Sequence, residues 1–179
     1  ETPNSNKLAK DLLPYENVYI ANKIGDEWTL ISDDQQTEKY IPQKINTKKH
    51  NAGVIYSSDE KTLYTYKSDL LWVSIMEDGK WSKLVELDEN INTSKFNVPS
   101  ATISNDGNTL FFVSNRKNGL GGKDIYKSIK TSNDVWGESE VLSESINTKF
   151  DEDSPYLSED GSTLYFSSKG HGSIGGYDI

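Results

Sequence analysis

Three stretches of this 179-residue chain spell one eight-residue pattern, Ser-x-Asp-x-x-Thr-Leu-aromatic: Ser57–Tyr64, Ser104–Phe111 and Ser158–Tyr165. Their aspartates, Asp59, Asp106 and Asp160, lie 47 and 54 residues apart. Ile-Asn-Thr recurs at Ile45–Thr47, Ile91–Thr93 and Ile146–Thr148, and a tryptophan follows a polar turn at Trp28, Trp81 and Trp136. The three landmarks keep the same cyclic order. The chain is therefore an array of one structural unit, and that fact ranks above any local reading.

Each unit reads as four short strands. In the best-preserved copy the spacing predicts strands over Val98–Ser104, Thr109–Ser114, Asp124–Ile129 and Trp136–Leu142, with a turn at Asn105–Asn108. Asp106-Gly107 and Asp160-Gly161 supply the positive-φ residue that a tight reversal needs. Asp59-Glu60 has no glycine there, so that turn must differ in geometry or carry strain. Leu110–Val113 and Leu164–Phe166 are apolar on both faces, which fits a sheet sandwiched between two neighbours. Four-stranded sheets recurring every 46 to 55 residues indicate an all-β fold, a β-propeller of antiparallel blades.

Aligning Val18–Ala21 with Leu71–Ser74, and Trp28 with Trp81, has the sequence enter a blade at its third strand. The expected organisation is a linker or short helix over 1–16, a half blade over 17–51, blades over 52–97 and 98–153, and a half blade over 154–179. The linker carries a helical pattern over Ser5–Leu13 that stops at Pro14. About three blade equivalents fall short of the roughly 4 to 8 of a closed propeller. The expectation is a part of a larger ring, and either an excerpt or a chain whose export signal has been removed.

Charge narrows the choice of ligand. Twenty-eight acidic residues against 19 basic ones give a net charge of −9, which disfavours a phosphate backbone and hence nucleic acid. The one basic cluster, Lys44–His50, reads as a solvated loop. There is no cysteine, so disulfides, thiolate metal sites and cysteine nucleophiles are excluded. No apolar run approaches the roughly 20 residues of a membrane-spanning helix.

The stretches Ser114–Tyr126 (SNRKNGLGGKDIY) and Ser167–Ile179 (SSKGHGSIGGYDI) resemble the TolB-like, WD40-like propeller repeats of bacterial envelope proteins. Asp151–Ile179 is similar to blades of OmpA-family, PorE-like components of type IX secretion. The resemblance covers Val18–Ile179 and is strongest from Phe96 onward. It implies a periplasmic, outer-membrane-associated scaffold that contacts envelope or secretion-system proteins, with peptidoglycan held by a separate domain. The first unit departs from the pattern, because Lys67-Ser68-Asp69 replaces the long glycine-rich hairpin.

No residue set reads as catalytic, metal-binding or cofactor-binding. Gly121, Gly122 and Asp124, like Gly175, Gly176 and Asp178, sit between strands with no helix following, so each group reads as a hairpin whose aspartate accepts backbone hydrogen bonds. Asp151, Glu152 and Asp153 are consecutive, which makes their side chains diverge, and they read as a solvated turn rather than a calcium site or a glycosidase pair. Neither His50 nor His171 has a partner at helical spacing or a nucleophile beside it. Arg116, Lys117 and His171 lie on the hairpins between second and third strands and are the expected partner contacts, since loops on a rigid scaffold carry recognition. The sequence points to a non-enzymatic protein-interaction scaffold. The alternatives are a glycan-binding or hydrolytic propeller, and a propeller gating a peptidase.

Overall fold

The computed structural model describes residues 16–31, 39–47, 51–93, 95–132 and 135–179. Among these residues there is no helix, and the helical pattern at Ser5–Leu13 lies outside them. The strands are β1 (Ala21–Ile24), β2 (Glu27–Leu30), β3 (Asn51–Tyr56), β4 (Thr62–Lys67), β5 (Leu70–Glu77), β6 (Lys80–Trp81), β7 (Val85–Glu86), β8 (Ala101–Ile103), β9 (Thr109–Ser114), β10 (Asp124–Ile129), β11 (Glu140–Val141), β12 (Glu152–Leu157) and β13 (Leu164–Ser168). They form four antiparallel sheets in chain order: β1-β2, β3-β4-β5 with β6 and β7 on the outer edge of β5, β8-β9-β10-β11, and β12-β13. The boundaries set at 51/52 and 153/154 fall inside β3 and β12.

The second and third strands of the best-preserved unit occupy the spans their two-faced apolar pattern indicates. The fourth does not run unbroken over Trp136–Leu142: Trp136 makes one bridge to Lys130, and pairing resumes only at β11. The preceding sheet breaks in the same place, between β6 and β7. A buried serine on the third strand accounts for both interruptions. Ser74 Oγ donates to Ser82 O at 2.8 Å and Ser128 Oγ donates to Gly137 O at 2.7 Å, which draws the residue after each tryptophan out of plain strand pairing.

The reversal between first and second strands is built alike in all three units. Ser57, Ser104 and Ser158 each donate a side-chain hydrogen bond to the aspartate two residues on, and each Oγ accepts the N–H of the threonine five residues on. The residue after the aspartate has positive φ: Gly107 at 71°, Gly161 at 72° and Glu60 at 56°. The glycine-free turn therefore keeps the geometry and carries the strain of a left-handed glutamate.

The three sheets from β3 onward lie face to face, and β3 approaches β8 as β8 approaches β12, so the first strands line the inner edge. Tyr64 and Leu71 of one sheet pack with Leu110, Phe112, Tyr126 and Trp136 of the next, together with Ile91 and Val98 from the connection between them. One interface earlier, Leu63 and Trp81 pack with Ile41 and Ile45, and with Val18 and Ile20 leading into β1. Each buried side chain of this size contributes about 1.5–3 kcal/mol by leaving water. Alternate residues of one strand thus serve opposite interfaces: Leu63 faces the preceding sheet and Tyr64 the following one. This is the stacked-sheet architecture of a β-propeller, with two larger sheets between two two-stranded ones among the described residues.

Candidate interaction surface

The Ile-Asn-Thr landmark is a clasp on the third strand. Asn92 accepts Leu71 N–H at 2.9 Å and donates to Leu71 O at 2.8 Å and Leu87 O at 3.1 Å. Asn147 does the same with Ile125 N–H, Ile125 O and Leu142 O, at 2.7, 2.9 and 3.0 Å. Asn46 accepts Val18 N–H and donates to Val18 O, both at 2.8 Å. A primary amide matches one residue's backbone donor and acceptor at once, so it extends the sheet where the chain leaves the fourth strand. The sequence shows the recurrence, while the partner appears only in three dimensions.

The glycine-rich hairpin before β10 is held by Asp124, a buried carboxylate that accepts Leu120 N–H at 3.0 Å and Gly121 N–H at 3.2 Å. Burial pushes its pKa up, partly offset by those two N–H groups. Asp178 repeats the role, accepting Ile174 N–H at 2.7 Å. A Cβ on Gly121 would come within 1.9 Å of Phe150 O, so glycine is required there for close approach, while one on Gly122 would meet only the Asp151 carboxylate, at 2.3 Å. At Gly175 the requirement is a φ of 90°.

Arg116 does not project into solvent as a partner contact would. Its guanidinium lies over Phe112 and Tyr126, 5.1 and 5.4 Å from the ring centres, and donates to Ser139 Oγ, Asn90 O and Ile91 O at 2.6, 3.0 and 2.5 Å. Burial pulls its pKa below the ordinary arginine value. The other two units carry a different nitrogen donor in the same job. Lys67 Nζ donates to Lys44 O at 3.1 Å from above Trp72, and His171 Nε2 donates to Ile146 O at 2.9 Å beside Phe166. Each hairpin is thereby tied to the Asn loop of the preceding unit. Lys117 is exposed, and His171, though tied, is also exposed.

The triplet Asp151-Glu152-Asp153 is not a solvated turn. Glu152, in β12, is fully buried and accepts from Thr148 N–H, Thr148 Oγ1 and Ser168 Oγ at 2.9, 2.7 and 2.7 Å. Asp151 pairs with Lys169 Nζ at 2.8 Å, and chiefly this bond lowers its pKa. Asp153 pairs with Lys123 Nζ at 2.9 Å and accepts Ser100 Oγ at 2.7 Å; burial opposes its charge, but these partners outweigh it and its pKa is lowered. The side chains diverge, as consecutive strand residues must, and each has its own partner. In the preceding blade Val98 stands where Glu152 does, and Ser114 Oγ, the counterpart of Ser168 Oγ, has no partner there. Among the described residues no group of three or more His, Cys, Asp or Glu side chains is placed to hold a metal ion.

Exposed apolar side chains stand on the hairpins and on an Asn loop. Leu120, Phe150 and Ile174 are exposed, with Lys117 beside Leu120 and Lys149 5.2 Å from the Phe150 ring centre. Leu120 and Phe150 belong to touching segments, because Gly121 abuts the Phe150 carbonyl.

No family model matches the chain, and no curated protein does. Among solved structures it is similar to TolB from Acinetobacter baumannii, at 12% identity and a TM-score of 0.55 over 87% of this chain. The fold is that of a β-propeller. The chain spans about a third of that structure's length, 32%.

Proposed function

We propose that the chain is a non-enzymatic protein-interaction scaffold of the bacterial envelope, in the periplasm and associated with the outer membrane. The observation that carries this reading is the division of labour at the hairpin end. The backbone there is over-determined by Asn clasps, aspartate caps and side-chain ties from Lys67, Arg116 and His171, yet it displays exposed Leu120, Phe150 and Ile174 with Lys117. Apolar side chains held out on a rigid support suit recognition of another protein. Lys117 and the exposed edge of His171 belong to this surface, whereas Arg116 supports it from beneath.

The envelope setting is supported by the likeness to TolB in fold and by the similarity of Ser114–Tyr126 and Ser167–Ile179 to TolB-like repeats. The finer reading, a link to type IX secretion or peptidoglycan anchoring, is supported by the resemblance over Asp151–Ile179 alone. The test is affinity capture from envelope extracts with the immobilised chain and with a Lys117→Glu/Leu120→Asp variant. Recovery of outer-membrane secretion components by the first and not the second is the expected result. Specific saccharide binding without any such protein would replace this reading with the glycan-binding one.

A further inference from the structure

The cations at the hairpin end divide into engaged and free ones, and the free ones share a strip with exposed apolar side chains. Lys123 and Lys169 pair with Asp153 and Asp151, and Arg116 is bound to backbone carbonyls. Lys95, Lys117 and Lys149 are exposed and have no acidic partner among the described residues. The other two carboxylates of these segments, Asp124 and Glu152, are buried and satisfied from inside by N–H and O–H donors. The charge presented outward here is therefore positive, on a chain whose net charge is −9.

Two contacts make the strip continuous. Asn97 N–H donates to Asn115 Oδ1 at 2.8 Å, which sets the Lys95 loop against the start of the glycine-rich hairpin. At the other end of that hairpin Gly121 abuts the carbonyls of Thr148 and Phe150, on the segment that carries Lys149. Lys117 and Leu120 lie between those two contacts, so all five side chains stand on three neighbouring segments. These segments lie between β7 and β12, inside the array, with a sheet on either side. Leu120 is 42% exposed and Phe150 47%.

We propose that this strip binds an extended acidic segment of a partner protein, with carboxylates against Lys95, Lys117 and Lys149 and an apolar side chain against Leu120 and Phe150. The proposal rests on the interaction surface described above and adds the chemistry of its partner. Each Asn loop runs from the outer edge of one sheet to the inner edge of the next, with exposed Glu89 and Glu144 at the outer ends and Lys95 and Lys149 at the inner ends. A flat anionic bilayer would meet those acids together with the lysines, whereas a single extended chain fits the basic strip alone. Screening over about 8 Å at physiological salt keeps the protein's remaining negative charge from deciding the outcome. The strip is also fixed before binding, because Asp124 holds Leu120 and Gly121 while Arg116 ties the hairpin to Asn90 and Ile91, so little ordering cost falls on this side.

Phage-displayed random peptides, selected on the immobilised protein and counter-screened on its Leu120→Asp variant, test this. Peptides lost with Leu120→Asp are those of the surface. The expected set is rich in Asp and Glu around a Leu, Phe or Trp. Its members weaken about 3- to 100-fold in Lys95→Gln/Lys117→Gln/Lys149→Gln, the product of about 1.5- to 5-fold for each exposed pair, and are not weakened by Glu89→Gln/Glu144→Gln. Added salt lowers their affinity for the parent more than for the triple variant. All substituted side chains are exposed, and circular dichroism checks that each variant keeps the parent fold. Leu120-dependent peptides that are neutral or basic, or that bind the triple variant as well as the parent, would overturn the acidic partner and leave the interaction surface standing. A complete lack of Leu120-dependent peptides would remove that surface and the proposal with it. Lysine-dependent binding to vesicles of phosphatidylglycerol and phosphatidylcholine in equal parts, with no such peptide, would overturn the proposal in favour of a lipid surface.

Discussion

Replacing Asn147 by alanine removes the clasp from the best-packed blade, and its cost can be worked out bond by bond. The amide is 1% exposed and makes three hydrogen bonds. Its loss leaves Ile125 N–H without that acceptor inside the protein, a desolvation cost of about 1–3 kcal/mol. Ile125 O is better placed, because Leu142 N–H also donates to it at 3.0 Å. The two lost donations to carbonyls add about 0.5–1.5 kcal/mol each. The sum is a destabilisation of about 2–6 kcal/mol, before any cavity left by the shorter side chain. Urea unfolding followed by tryptophan fluorescence and by circular dichroism measures it, and using both signals reveals any unit that unfolds separately. A loss below about 1 kcal/mol in a single shared transition would show that the clasp is decorative and the reasoning wrong.

Three further outcomes follow from the turns, the hairpin and the paired carboxylates. Glu60→Gly relieves a left-handed glutamate and should stabilise by about 0.5 kcal/mol after the added unfolded-state entropy, whereas Gly107→Ala should cost about 1–2 kcal/mol, both read as shifts in urea midpoint. Gly121→Ala forces a Cβ to within 1.9 Å of the Phe150 carbonyl and must displace the neighbouring loop, so its midpoint should fall further than that of Gly107→Ala. Acid should unfold the chain, because Asp151 and Asp153 have lowered pKa values when folded. Their stabilisation is full above the ordinary aspartate range near 4 and is lost as pH falls below it. Asp124, whose pKa is raised, acts in the opposite sense, so Asp124→Asn should lessen the decline of stability from pH 4 to pH 7 that this group alone would cause. Midpoints measured across that pH range check the sign.

Much of the architecture was legible because the decisive signals are local or periodic. Thr109–Ser114 and Asp124–Ile129 are strands in the spans their apolar runs indicate, and the Ser-x-Asp-Gly turns form from hydrogen bonds within five residues. The broken fourth strand was not legible, since it depends on Ser74 and Ser128 reaching across the sheet to Ser82 and Gly137. Glu152 illustrates the same limit: an acid between two acids reads as solvent-facing until strand alternation turns it toward Thr148 and Ser168. Arg116 misled for a related reason. A cation in a long hairpin looks free for recognition when its targets, two backbone carbonyls of another unit, have no sequence signature.

Comparing the units with one another separates what the fold demands from what it leaves open. Lys67, Arg116 and His171 are chemically unlike, yet each donates to the carbonyl side of the preceding Asn loop, so the position requires a donor of suitable length and tolerates different charge distributions. The hairpin tips behave otherwise: Leu120 and Ile174 have no counterpart in the short Lys67–Asp69 turn, and neither is needed to hold a sheet together. A side chain that the repeat does not require, and that costs apolar exposure where it stands, is retained at odds with folding alone. That argument favours the long hairpins of the later units for the recognition proposed above.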